Sequence, residues 1–271
     1  MTVVVLHRAD LGALPYGDWL DGVDAGGGPV LLTEPGTPAP PAPWADVHRI
    51  DRFARTAGVE TAVLAAAAHT PVTAVIALHP DDQIRAGALR DRLGLPGQGR
   101  DAAVFGADTV RAAEALAAHG VPVVPRAAAG RISDLYRAAH AWGYPLAVHR
   151  RRGADRPVVA ELADEAALRA FARGGIAEGS GGATASLTVG PPVTAHRHTG
   201  PGTPATDAAL AVLPADPGHP LEVGAVQDAR GRWRVDTVRY VGHVRPTGAL
   251  VRGQAGRLGA WPAHHAIKET V

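Results

Sequence analysis

The stretch that decides the fold reads Pro71-Val-Thr-Ala-Val-Ile-Ala-Leu-His-Pro-Asp-Asp-Gln-Ile-Arg-Ala-Gly-Ala-Leu-Arg-Asp-Arg-Leu-Gly-Leu-Pro-Gly97. From Val72 to Leu78 it is apolar and β-branched, bounded by Pro71 and Pro80, which is the pattern of a strand buried on both faces. The period then changes. Ile84, Ala88, Leu89 and Leu93 recur at helical spacing, Asp81 stands where a cap belongs, and Gly94 stands where a helix stops. Asp81-Asp82 reads as a pair of caps facing the helix dipole rather than as paired catalytic acids. A buried strand running straight into a helix is half of a β-α-β unit.

The same alternation continues towards the N-terminus. Val3–Leu6, Pro29–Thr33 and Val47–Ile50 read as strands, 18–23 as a short helix or turn, and 51–68 as a helix shortened near Gly58. Glu34 to Trp44 holds five prolines and reads as a loop. Parallel strands with helices on both faces follow. Towards the C-terminus, 108–119, 133–142 (with Ser133 as candidate cap) and 164–173 read as helices, and Val121–Val124 as extended. Pro145–His149 and Val158–Leu162 read as strands joined by a hairpin over 150–157. Further strands are expected at Ala185–Val189, Leu210–Leu213, Leu221–Gln227 and Trp233–Tyr240, with a turn at 227–233. The Gly-, Pro- and Thr-rich stretches 174–182 and 190–206 read as loops, and the tail from Gly242 shows no pattern.

Composition narrows the function. The chain has 271 residues, 27 Lys+Arg against 26 Asp+Glu, and no cysteine. This excludes disulfides, thiolate catalysis and cysteine-ligated zinc, and it argues against an electrostatic nucleic-acid binder. No run of 18 apolar residues suggests a membrane span, and the first residues lack a signal-peptide pattern, so a cytoplasmic protein is expected. Only one of the 27 basic residues, Lys268, is a lysine. The abundance of Arg, Ala, Gly and Pro is that of a GC-rich genome, but the chemical consequence stands: no lysine is available inside the fold.

In order and spacing, the elements resemble the ATP-grasp carboxylate–amine ligases over most of the chain. The resemblance is carried by Leu6-His-Arg-Ala-Asp10 and Pro15-Tyr-Gly-Asp-Trp-Leu-Asp21, by His79 to Gly97 with its Gly-Leu-Pro-Gly corner, and by Ala115 to Pro125. Trp142-Gly-Tyr-Pro-Leu-Ala-Val-His149 with Asp164 to Phe171, and Pro220 to Trp233, add to it. It implies an α/β fold in three parts. These are a Rossmann-like N-terminal domain over 1–100, an ATP-grasp N-subdomain-like region over 101–180, and a reduced C-terminal ATP-grasp-like region with a tail over 181–271.

The resemblance also implies ATP held by two lysines, a glycine loop and Mg²⁺, because phosphoryl transfer rests on positioning and charge stabilisation. The first lysine is expected after Phe105, where the chain reads Phe105-Gly-Ala-Asp-Thr109. The second is expected at His149. The glycine loop is replaced by Arg150-Arg-Arg-Gly-Ala-Asp-Arg-Pro157, in which Arg150, Arg151, Arg152, Gly153 and Arg156 are either an anion site or a solvated basic turn. The Glu-x-Asn metal motif is missing, since the sequence has no asparagine, and the chain is expected to stop before the part that carries catalysis.

His149, at a strand end, is the candidate general acid or base, or else a strand-capping histidine. His196-Arg-His198 and His264-His265 are weak metal candidates without acidic neighbours. The expectation is a degenerate homologue in a bacterial biosynthetic pathway, acting as a binding or accessory protein or as an ATP-independent enzyme, with no cofactor. The alternative is an active ligase with ATP and Mg²⁺, its arginines replacing lysines. A homodimer or hetero-complex with a biosynthetic partner, and a small-molecule or peptide substrate, are expected; nucleic acid and membrane are not.

Overall fold

The computed structural model describes residues 1–23, 27–151, 156–174, 187–192, 197–213, 216, 218–228, 230–242, 244 and 246–256. In chain order the elements are β1 (Thr2–Leu6), α1 (Tyr16–Trp19), β2 (Val30–Thr33), β3 (Asp46–Arg49), α2 (Gly58–His69), β4 (Val72–Ala77), α3 (Gln83–Leu93) and α4 (Arg100–Ala107). They continue as α5 (Thr109–Ala118), β5 (Ala127–Ala129), α6 (Ile132–Trp142), β6 (Leu146–Arg150), β7 (Val158–Leu162), α7 (Glu165–Gly174) and β8 (Leu187–Gly190). The last are β9 (Arg197–Thr199), α8 (Pro204–Val212), β10 (Leu221–Gln227), β11 (Trp233–Tyr240) and α9 (Gly248–Gln254). The chain divides into two compact units, Met1–Ala103 with Pro214–Pro220 and Tyr240–Val271, and Val104–Leu213 with Leu221–Arg239.

The first unit is built on a parallel sheet of order β3-β2-β1-β4. The strands β1, β2 and β4 are apolar at consecutive positions because both faces are covered, while the edge strand β3 (Asp46-Val-His-Arg49) is only partly buried. Val3, Val5, Leu31, Ala74 and Ile76 pack with Tyr16 and Leu20 and with Leu250 and Val251 of α9. Val4, Leu6, Leu32, Val75 and Ala77 pack with Val59 and Val63 of α2 and Ala86 and Leu89 of α3. Gly94 closes α3 at φ +63°, the left-handed conformation that only glycine adopts cheaply.

Asp81 and Asp82 do not cap α3 with their side chains. A 3₁₀ turn over Pro80–Asp82 precedes the helix, and the His79 side chain accepts from the Asp81 amide. Asp82 is fully buried and takes a two-pronged bond from Arg8, at 2.6 Å from Nε and 2.8 Å from Nη2. A buried carboxylate needs a cation more than a helix start needs a cap.

The second unit holds two sheets. The sheet of order β5-β8-β6-β7 is antiparallel and packs Leu146, Val148, Leu187 and Val189 against Leu135 and Ala138 of α6 and Leu168 of α7. The sheet of order β11-β10-β9 packs Val223, Ala225, Val235 and Val238 against Ala112 and Leu116 of α5 and Ala205 and Ala209 of α8.

Four local expectations change, one of them at β9, a strand inside the 190–206 stretch expected to be loop. Leu210–Leu213 is not a strand; all but its last residue belong to α8, which starts inside the stretch expected to be loop. Thr203 and Thr206 cap each other's amides at 3.1 Å, and Pro204 sits at the first helical position. Ser133 does not cap α6; Asp134 reaches back to the amides of Gly130 and Arg131. The tail beyond Gly242 supplies α9, capped by Thr247.

Candidate functional site

The candidate site begins at β6. Its alternation sends Leu146 and Val148 into the core beneath α6 and α7 and leaves Ala147 and His149 on the opposite face. Arg150 ends the strand, exposed. Arg152 and Gly153 lie outside the described residues.

Arg151 turns back onto α5. Its Nε donates to Asp108 Oδ1 at 2.8 Å, with the arginine side chain 18% exposed and the aspartate 1%. The same Asp108 oxygen accepts from the amides of Val110 and Arg111 at 3.1 and 3.2 Å, so it is also the N-cap of α5. Arg156, at φ +40°, donates from Nη1 to Thr109 Oγ1 and to the Val238 carbonyl, both at 3.0 Å, and from Nη2 to the Gly106 carbonyl in the last turn of α4. A guanidinium there meets the negative end of the helix dipole. The structure therefore brings Asp108 to Arg151 and Thr109 to Arg156.

A second cluster, on the same face as His149, was not legible in the sequence. Val124 N–H donates to the Val235 carbonyl at 2.7 Å and Val235 N–H to the Pro122 carbonyl at 2.8 Å. This pairing sets Asp236 beside Arg126, whose Nη2 donates to Asp236 Oδ1 at 2.5 Å; both side chains are 5% exposed. Arg197 lies 3.5 Å from the other Asp236 oxygen, largely in solvent. Thr188 stands directly across from His149 in the β6–β8 ladder. The only sequence signals are a lone arginine in the apolar stretch 121–130 and a lone acid in β11.

Burial depresses the His149 pKa. The cations of Arg126 and Arg197 push it the same way, against Asp236 and a hydrogen bond to the Arg156 backbone. The imidazole is therefore neutral near pH 7, able to hydrogen-bond or to accept a proton, but it does not supply the fixed positive charge of a lysine. His198 bonds the Pro201 carbonyl at 2.9 Å and meets Trp233 edge-on; His196, His264 and His265 lie outside the described residues. Among the described residues, no group of three or more His, Asp or Glu side chains is gathered to hold a metal ion. None of the described helices is long and apolar enough to cross a membrane.

Compared by sequence, the chain matches no family model and no curated protein. Compared by structure, it matches many solved proteins. It superposes on the L-amino acid ligase from Bacillus licheniformis with a TM-score of 0.61 and 13% identity, over 88% of this chain and 66% of that one. It superposes on the RimK domain protein ATP-grasp from Sphaerobacter thermophilus with a TM-score of 0.56 and 17% identity, over 96% and 100%. The fold is that of the ATP-grasp proteins. The biotin carboxylase domain of the Hydrogenobacter thermophilus 2-oxoglutarate carboxylase, solved as a dimer with MgADP, agrees at a TM-score of 0.63 and 13% identity, over 97% and 70%. The chain thus spans just under two thirds of the amino acid ligase's length and the whole of the RimK domain protein's. In this ATP-grasp frame, the positions where the resemblance expects phosphate-binding lysines carry a helix cap paired to an arginine, and a neutral histidine.

Proposed function

We propose that this chain is a ligase-like ATP-grasp protein whose phosphate-handling positions have been given over to internal contacts. In this reading it serves a bacterial biosynthetic pathway as a binding or accessory protein, or as an enzyme that performs ATP-independent chemistry at the inherited site. The observation that carries the reading is the Asp108–Arg151 pair. A carboxylate at the first expected lysine position would repel a phosphate, and here it also takes up the Arg151 guanidinium. Arg156 is bound to Thr109 and to two backbone carbonyls, which are acceptors that a phosphate would have to displace.

The described residues do not suit a magnesium–triphosphate group: Asp108 stands where a cation is expected, and no group of three or more His, Asp or Glu side chains is gathered among them to hold a metal ion. What they offer is His149 as a neutral acid–base group, held at a strand end by the backbone and surrounded by charge. A small-molecule or peptide ligand, and a homodimeric or hetero-complexed state with a biosynthetic partner, belong to the same proposal.

A second reading, an active ligase with arginines replacing lysines, draws on the exposed Arg150 at the end of β6. Calorimetric titration of the full chain with Mg-ATP separates the two. The first reading expects no saturable heat at millimolar nucleotide. Saturable binding that disappears in Arg150→Ala/Arg151→Ala overturns it in favour of the second.

A further inference from the structure

Among the described residues, Arg126 is the buried cation whose hydrogen-bonding capacity is least used. A guanidinium has five N–H donors. Among the described residues, only Nη2 of Arg126 has a partner, Asp236. Nε and Nη1 are buried without one, and so is the hydroxyl of Thr188. Buried donors are normally satisfied, so three such atoms converging on one face call for an explanation.

The ladder places them together. Thr188 is opposite both His149 and Ala128, and Gly190 is opposite Ala147, so His149, Thr188 and Gly190 share a face with Ala128. Arg126 precedes Ala128 by two residues and lies against Gly190: a Cβ built there would sit 2.4 Å from the Pro125 carbonyl and 3.3 Å from Arg126 Nη1. Only glycine lets this backbone and guanidinium lie so close to β8. Among the described residues, Arg126 and Arg197 share one carboxylate, Asp236, while Glu161, opposite Ala147 on the same face, is exposed.

We propose that Arg126, with Thr188 and His149, forms a binding site for a small oxyanion, the carboxylate or phosphate group of a small ligand. Unpaired N–H donors of a buried guanidinium and an unpaired hydroxyl beside them are what an oxyanion completes and what a cation or an apolar group does not. The proposal deepens the reading given under Proposed function, because it assigns a ligand class to a site argued to have lost triphosphate.

The test is thermal unfolding and calorimetry of the full chain with inorganic phosphate and with acetate, each against chloride at equal ionic strength. A saturable stabilisation by either anion is expected, phosphate and acetate distinguishing the two sources. Its affinity should fall at least tenfold in Arg126→Lys, which keeps a cation for Asp236, and several-fold in Thr188→Val. No response beyond chloride, or equal responses in both variants and the parent, overturns the proposal. Mg-ATP binding lost in Arg150→Ala/Arg151→Ala overturns the reading of the phosphate positions and leaves this site standing, so the two failures are distinguishable.

Discussion

Arg90 in the first unit and Arg126 in the second are both buried guanidiniums, and they are used in opposite ways. Arg90 spends every nitrogen. Nε and Nη2 donate to the Val75 carbonyl at 3.0 and 2.7 Å, Nη2 also to Gln254 Oε1 at 3.0 Å, and Nη1 to the Gln98 carbonyl at 3.0 Å and to His219 Nε2 at 3.2 Å. His219 in turn donates from Nδ1 to Asp216 Oδ2 at 2.8 Å. Gln254 ties the network to the Ala77 backbone and to Tyr240. Among the described residues, Arg126 has one partner and two idle nitrogens. A saturated buried cation holds a fold together, whereas an unsaturated one has capacity left for something that is not part of the chain.

The largest effect should follow from removing the saturated one. Arg90→Met strands five hydrogen-bond contacts inside the first unit, and loss of one member of a buried charged network costs about 3–5 kcal/mol. Against a typical stability of about 5–15 kcal/mol, the variant should unfold at much lower urea concentration. A loss under about 1 kcal/mol, by urea unfolding followed by circular dichroism, would break the distinction at its stronger end.

Neither arginine was assigned in the sequence, and the reason is physical. The parallel sheet was legible because strands buried on both faces must be apolar at consecutive positions, as Val3 to Leu6 are. Helix α5 was legible because its alanine-rich run, closed by Gly120, is a local signal. The contacts of Arg90 and Arg126 are not local: Arg90 meets Gln254 164 positions away, and Arg126 meets Asp236 110 positions away. No periodicity encodes such a pair. The helix α8 was hidden differently, its mutual threonine caps lying inside a Gly-, Pro- and Thr-rich run. Of the candidate site, His149, Arg150, Arg151 and Arg156 could be named from sequence, but the Asp108 and Thr109 that receive the latter two could be read only as missing lysines.

Acid should probe the saturated network next. Burial lowers the His219 pKa from 6.5 to about 4, with Arg90 acting in the same direction and Asp216 opposing. Between those values the unfolded chain takes up a proton that the folded histidine refuses. Stability therefore rises with pH across the window and is lost as pH falls from 6.5 towards 4. The loss should be about 3 kcal/mol. His7, also lowered to about 4 by burial, adds a step of the same sign. His219→Gln should accordingly reduce the pH slope of the urea midpoint by about half, with the His7 share remaining. An unchanged slope would mean that His219 is protonated in the folded state, and the Arg90 network would then be wrongly described.

The smallest effect is the sharpest test, because it applies one substitution to both arginines. Lysine keeps the charge but not the planar set of donors. At Arg90 it strands the carbonyls of Val75 and Gln98 and the side chains of Gln254 and His219, so Arg90→Lys should cost about 2–3 kcal/mol. At Arg126 a lysine that reaches Asp236 gives up only donors that had no partner, so Arg126→Lys should cost less than about 1 kcal/mol in ligand-free buffer. Equal costs by urea unfolding would show that the idle nitrogens of Arg126 contribute to folding after all. Unequal costs, with the cheaper variant alone losing its response to phosphate or acetate, would separate the arginine that the fold depends on from the one it holds for a ligand.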